Sequence, residues 1–175
     1  MSDELPRRLN LGCGSHKRPD CLNLDLRPEA APDLLWDLDE HPFPLPRGHF
    51  DHVYALDVVE HLRDVPRFMQ EVHELLVPGG ILEITTPHFS CANSYSDPTH
   101  RQHLGYFSFD FFAPGAELEL SPRGRFAIVE RTLVFHPSLA DRIVARLANR
   151  FPEAYEHRFT WLFPAWFLIF KLSAV

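Results

Sequence analysis

Leu9-Asn10-Leu11-Gly12-Cys13-Gly14, followed by Cys21-Leu22-Asn23-Leu24-Asp25-Leu26, is the stretch that decides the fold. Arg8 to Leu11 reads as a short buried strand that stops at two glycines one residue apart. Glycine there permits a tight turn and lets a ligand approach the backbone. Residues 21–26 read as a second strand. Asp25 stands at its end, where an acidic side chain accepts hydrogen bonds from ribose hydroxyls in nucleotide-binding sheets. A Gly-x-Gly turn also occurs as a plain tight turn, so this piece carries weight only with its neighbours. Lys17 occupies the place of the third glycine of a dinucleotide fingerprint, which argues against NAD and FAD. Eleven positions separate Gly14 from Asp25, where about 20 is usual. The first crossover helix is therefore reduced to about a turn, or lost.

Working outward, Asp33 to Leu38 reads as a third strand and Asp39 to Gly48, with three prolines, as a loop. Phe50 to Leu56 is a fourth strand, rich in β-formers. A helix is expected from about Asp64 to Leu76, with Asp64 as N-cap, Pro66 in the first turn, and Phe68, Val72, Leu75 and Leu76 as its apolar stripe. Val77-Pro78-Gly79-Gly80 stops it, and Ile81 to Thr86 is a fifth strand. His88 to Gly115 shows no period and reads as a lid-like loop, with a short helix near Ser108–Phe112. Phe126 to Phe135 is a sixth strand, Ser138 to Phe151 a helix, and Phe163 to Leu172 a seventh strand. Strands alternating with helices give an α/β class. The expected fold is a Rossmann-like, mostly parallel seven-stranded sheet with an antiparallel edge strand, in one domain spanning residues 1–175.

The net charge of −7 and the sparse Lys/Arg disfavour nucleic acid, whose phosphates call for a basic face. Cys13, Cys21 and Cys91 are odd in number and follow no metal-ligand spacing, so a reducing, cytoplasmic setting is expected. The first ten residues carry no signal-peptide pattern. The longest apolar run, Trp161 to Phe170, is interrupted by Pro164 and is half the length of a membrane span, which needs about 20 residues.

Taken together, Leu9 to Gly14, Asn23-Leu24-Asp25, Asp37-Leu38, Phe50 to Ala55, Val59-Glu60-His61-Leu62 and Leu76 to Leu82 form an ordered series. That series resembles the small class I S-adenosylmethionine (SAM)-dependent methyltransferases, over about Leu9 to Pro87. Leu162-Phe163-Pro164 is similar to the closing strand of such domains. The resemblance implies SAM as cofactor, S-adenosylhomocysteine as product, and binding by Asn10, Gly12, Cys13, Gly14, Asp25, Asp37, Leu38 and Asp57. In that scheme Gly12 and Gly14 let the methionyl part lie on the backbone, and Asn10 faces the amino group. Asp25 holds the ribose, Asp37 and the Leu38 backbone reach the adenine, and Asp57 lies beneath the methyl group. The family often has Asp or Glu at position 10, and an amide there loses charge assistance. Lys17 or Arg18 is the expected partner of the methionine carboxylate.

Methyl transfer from a sulfonium chiefly requires the nucleophile held about 3–3.5 Å from the methyl group. A base helps when the acceptor must lose a proton. His61, after the fourth strand, and His88, after the fifth, are candidates with His100, and His103 shares the lid segment with His100. Most of the eleven histidines serve structure or solvent. Some methyltransferases with a Glu-x-x-Glu-His arrangement bind Mg²⁺, and Asp57-x-x-Glu60-His61 is similar. The Glu-His pair also stands in many metal-free members, so no metal ligand is assigned.

Tyr106 to Phe112 is read either as an acceptor pocket or as packing on the sheet, and Trp161 to Phe170 as core strand or exposed surface. The sticky edge leaves a homodimer open. The helix at 138–151 sets Leu139, Ile143, Val144 and Leu147 beside Arg142, Arg146 and Arg150, an amphipathic face open to solvent, an acidic partner or phospholipid. The expected activity is methyl transfer to a small or amphiphilic acceptor, with oxygen ahead of nitrogen and carbon. The alternatives are a degenerate binding module without turnover and, further off, a nucleotide-dependent oxidoreductase.

Overall fold

The computed structural model describes residues 5–116 and 125–175. Residues 1–4 and 117–124, which the single-domain expectation included, lie outside it. Seven strands form one sheet: β1 (Arg8–Leu11), β2 (Leu22–Asp25), β3 (Leu34–Leu35), β4 (Phe50–Leu56), β5 (Leu76–Pro87), β6 (Phe126–Val134) and β7 (Phe167–Ala174), in the spatial order β3-β2-β1-β4-β5-β7-β6. The first five pair in parallel. β7 enters between β5 and β6 and runs opposite to both. This is the mixed, mostly parallel α/β sheet that the strand–helix alternation predicts, with the antiparallel strand one place in from the edge.

α1 (Val65–Leu75) packs beside the sheet centre. The Asp64 carboxylate caps it, accepting the Arg67 N–H at 2.9 Å. Val65, Phe68, Met69, Val72 and Leu75 are buried against the sheet. Glu71 is buried too, but it pairs with Arg67 and accepts the Phe43 N–H at 3.1 Å. The helix ends where Leu76 turns extended. The segment Val77–Gly80 then falls within β5, at the register shift between the Phe50↔Leu76 and His52↔Ile81 pairs. Gly79 has φ +78°, a conformation that favours glycine.

Several expected elements change. No helix bridges residues 12–21 between β1 and β2. The third strand shrinks to Leu34–Leu35. The segment after β5 carries α2 (Asn93–Ser96) and a 3-10 turn at Asp110–Phe112. The helix expected at 138–151 forms as α3 (Leu139–Arg150), and an unexpected second helix, α4 (Pro152–Arg158), follows it where Pro152 starts a new first turn. The seventh strand begins only at Phe167, because Trp161, Leu162 and Phe163 are exposed while Leu168 and Phe170 are fully buried. Trp161 to Phe170 thus divides between the two readings its sequence allowed. The 106–112 cluster is largely core: Tyr106, Phe109 and Phe112 are buried, and the Phe109 ring meets that of Phe170 edge-on at 4.7 Å.

Candidate active site

A buried polar network replaces the missing first helix. Asn23 Oδ1 accepts hydrogen bonds from Asn10 Nδ2 at 3.0 Å and from the Arg18 N–H at 2.8 Å. Asn23 Nδ2 donates within the reach of the Arg18 and Cys21 carbonyls and of Asp33. One amide therefore organises a turn too short for a crossover helix. Asn10 belongs to the same network, donating also to the His16 carbonyl. Neither Asn10, Cys13 nor Gly14 is among the residues lining the cavity below, although the Cys13 and Gly14 N–H groups fix the turn to Leu24 and Asp25. Lys17 and Arg18 also face elsewhere. Lys17 contacts the Ala31 carbonyl and Asp33, and Arg18 lies over the Tyr54 ring at 4.0 Å.

β1 and β4 are neighbours whose onward connections run to opposite sides of the sheet, the crevice where α/β sheets bind ligands. A cavity of about 540 Å³ lies there, lined by Gly12, Asp25, Arg27, Asp37, Leu38 and Asp57, with His61, Asp97 and Thr99 closing one side. Its size is in the range of small-molecule pockets, about 300–1,000 Å³. Gly12 has φ +61°, and a Cβ placed on it would stand 2.5 Å from Val58 Cγ2. Only glycine lets the loops after β1 and β4 approach this closely.

Asp25 is buried and receives the Gly14 N–H at 2.7 Å and the Arg27 N–H at 2.8 Å. Burial works against its charge, but those two N–H groups and the Arg27 guanidinium outweigh it and hold the carboxyl below its usual range. Oδ1 also accepts the Arg27 Nε–H at 3.4 Å, while Oδ2, with the Gly14 N–H alone, retains capacity for another donor. Asp57 adopts φ +56°, an uncommon turn for a non-glycine residue that aspartate tolerates. Thr85 fixes it, its hydroxyl donating to Asp57 Oδ1 at 2.9 Å while its carbonyl accepts the Asp57 N–H.

Asp57, His61 and Asp97 also border a second cavity, about 610 Å³, completed by Glu60, Pro87, Asn93, Ser96, Pro98, His100 and Phe167. The segment after β5 reaches this place because the Arg101 and Gln102 N–H groups bond the Glu60 carbonyl at 2.7 and 3.0 Å. Glu60 and His61 sit on a single 3-10 turn after β4. Burial, with Asp57 and Asp97 nearby, pushes the Glu60 carboxyl up to about 7. Burial and the neighbouring His100 lower the His61 imidazole, so it is neutral at neutral pH. The His61 and His100 rings meet edge-on at 4.7 Å.

His88 ends elsewhere. It is fully buried, with Nδ1 on Ser90 Oγ at 2.7 Å and Nε2 facing Glu156 of α4 at 3.2 Å. Glu156 also accepts the Tyr106 N–H. Having no face on either cavity, His88 joins α4 to the end of β5, which removes it from the residues able to touch an acceptor. His103 is held by Ser94 and stacks on Tyr95 at 4.1 Å. Arg27, Val58, Asp97 and Thr99 border the cavities without having been singled out individually. No local spacing marks them, since they arrive from the third-strand connection, the β4 loop and the segment after β5.

A family model described as a methyltransferase domain matches residues 3–130. The chain belongs to that methyltransferase family. Family membership implies SAM as the cofactor, and the residues of the first cavity fit such a group: a glycine cradle that a Cβ would fill and a buried Asp25 carboxylate with spare acceptor capacity. The chain is 35% identical over 105 residues to a ubiquinone biosynthesis O-methyltransferase of Rhodopseudomonas palustris (strain BisB5) and 36% identical to that of strain HaA2. The match takes in 55% of this chain, and it spans 41% of the length of those relatives. In fold, the chain is similar to a SAM-dependent methyltransferase from Archaeoglobus fulgidus (TM-score 0.68, 17% identity, 97% of this chain and 86% of that one). It is also similar to one from Mesorhizobium loti (TM-score 0.62, 21% identity, 97% and 91%). Among the described residues no helix is long and apolar enough to cross a membrane.

Proposed function

We propose that this methyltransferase acts on an oxygen of a small or amphiphilic molecule held in the cavity beside Glu60, His61 and His100. The observation that carries the reading is the wall shared by the two cavities, Asp57, His61 and Asp97. Bound SAM supplies an electrophilic methyl group. Gly12, Asp25, Asp37 and Leu38 bind and orient the donor, with Asp57 at the boundary. Thr99 accepts from His61 Nδ1 at 3.0 Å while donating to Asp97 Oδ1 at 2.6 Å. That chain fixes the proton on Nδ1 and leaves the Nε2 lone pair free. On transfer of that methyl group, with the electron pair of the C–S bond left on sulfur, His61 Nε2 would take the proton of the acceptor hydroxyl. Asn93, Ser96, Asp97, Pro98 and His100 of the segment 88–115 form one wall of that cavity. The three described cysteines are all unpaired thiols, which agrees with a reducing, cytoplasmic setting. The O-methyltransferase relatives favour oxygen over nitrogen or carbon.

The test is release of S-adenosylhomocysteine across a panel of hydroxyl, amine and activated-carbon acceptors, with Asp25→Ala as the blank. Turnover confined to amines would replace the oxygen assignment. Cofactor binding without any turnover would favour the second reading, a binding module, which Asn10's engagement in the turn rather than at the cavity supports.

A further inference from the structure

The outward face of α3 and α4 is apolar where solvent should favour polar side chains. Leu139, Ile143, Leu147 and Phe151 recur every four residues, so they form one row along α3. They are between 56% and 79% exposed. Trp161 and Leu162, just after α4, are 71% and 69% exposed. An apolar groove of about 350 Å³ lies between the two helices, lined among others by Leu147, Phe151, Tyr155, Phe159 and Phe163. It joins the row on α3 to the aromatic residues that follow α4. A contiguous apolar patch of this kind marks a contact surface.

A second row runs beside the first. Arg142, Arg146 and Arg150 follow at the same spacing and are exposed. Arg142 and Arg146 form no ion pair among the described residues, and the Arg150 guanidinium lies over the Phe151 ring at 5.3 Å. Residues 138–163 hold four arginines and three carboxylates, in a chain with 17 basic and 24 acidic residues. An acidic protein thus carries its apolar face beside a basic one. The face is also preformed. Asn149 Oδ1 accepts the Leu133 N–H and its Nδ2 donates to the Leu133 carbonyl, both at 2.8 Å, which pins α3 to β6. The Tyr155 hydroxyl donates to the Phe163 carbonyl at 2.8 Å.

We propose that this face docks on the surface of an anionic phospholipid bilayer. The apolar row and Trp161 enter the boundary between headgroups and acyl chains, the arginines meet lipid phosphates, and the groove between α3 and α4 takes an acyl chain. A helix with apolar and basic rows side by side lies in the plane of such an interface. Tryptophan is favoured at that depth, and arginine pairs with phosphate through two parallel bonds. A bilayer supplies phosphate and hydrocarbon together, as the two rows require. A second copy of the chain fits less well. An isologous contact uses the same patch twice, and two of the three carboxylates here, Asp141 and Glu156, are already engaged by Ser138 and His88. Docking is independent of which acceptor atom is methylated. Glu156 of α4 also accepts the Tyr106 N–H, so the docked face is joined to the segment that walls the acceptor cavity.

The experiment is sedimentation of the full chain with sucrose-loaded vesicles of phosphatidylcholine, alone or mixed with phosphatidylglycerol. The expected result is binding to the mixed vesicles about tenfold or more tighter than to the neutral ones, and weaker at high salt. Arg142→Glu combined with Arg146→Glu should weaken it about tenfold, and so should Trp161→Ser combined with Leu162→Ser. Leu35→Ser, an exposed apolar position on β3 at the opposite edge of the sheet, should leave it unchanged. Thermal melting of each variant verifies folding. Absence of binding, equal binding to both kinds of vesicle, or binding that survives both double variants overturns the proposal. Two further results would replace the bilayer with another occupant. A dimer in sedimentation velocity that Trp161→Ser with Leu162→Ser abolishes, without vesicle binding, gives the face to a second copy. Binding to polyglutamate but not to vesicles gives it to an acidic protein.

Discussion

Asn23 and Phe109 are both enclosed, yet they hold their surroundings by different means. Around Asn23, in the cofactor half, two amides and one carboxylate tie ten residues of turn to the ends of β1 and β2. Around Phe109, in the acceptor half, rings from the segment after β5 pack on the strand that returns antiparallel. A short connection has too few side chains to bury and so relies on directional bonds. A long one can drop aromatic groups onto the sheet and let burial hold it. The first kind fixes a site rigidly. The second allows the acceptor wall to be built from residues remote in sequence.

Substitutions can break this contrast, beginning with the largest effect. Phe109→Ala should cost about 3–5 kcal/mol in urea unfolding, loosening the acceptor wall while S-adenosylhomocysteine affinity measured on the folded fraction stays near normal. Asn23→Ala strands several buried partners at once and should cost about 3 kcal/mol. Unlike Phe109→Ala, it should also weaken the cofactor, read by calorimetry on the folded protein. If both variants lose stability but neither touches the cofactor, the rigid-turn account of the first half fails.

Asp25→Ala strands the Gly14 and Arg27 N–H groups and should lower the melt; measured by calorimetry on the folded protein, it should weaken S-adenosylhomocysteine about 100-fold, equivalent to about 2.7 kcal/mol. Glu60 gives an effect tied to a single titrating group. Its carboxyl is raised to about 7 in the folded protein, so the native state holds a proton that the unfolded chain releases near its ordinary value. Stability in EDTA should therefore fall as pH rises from about 4.5 to above 7, by about 3 kcal/mol. Glu60→Gln should flatten that slope, matching wild type at pH 4.5 and exceeding it at pH 8. A slope that persists in Glu60→Gln would assign the dependence to another group.

Much of the cofactor half could be read directly. The strands at 8–11, 22–25 and 50–56, the glycine at position 12 and the carboxylate at 25 are signalled within a few residues, because strand periodicity, turn conformation and capping are local properties. The eleven-position interval even announced that the first helix was reduced to about a turn or lost. It did not reveal Asn23 as the replacement, since a lone asparagine in a strand carries no distinguishing pattern.

The acceptor half was decided by tertiary structure. Nothing near His88 says that Glu156, 68 positions later, will bury it. Nothing near His61 says that Thr99, 38 positions on, will orient its ring. The entry of β7 between β5 and β6 brings Phe167 beside Glu60 and His100 in one cavity. Sequence alone determined which residues could turn and extend, and where a buried carboxylate would stand at a strand end. Which histidines meet, and around which carboxylate, depended on how long connections close over the sheet, a matter of non-local packing that no short spacing encodes.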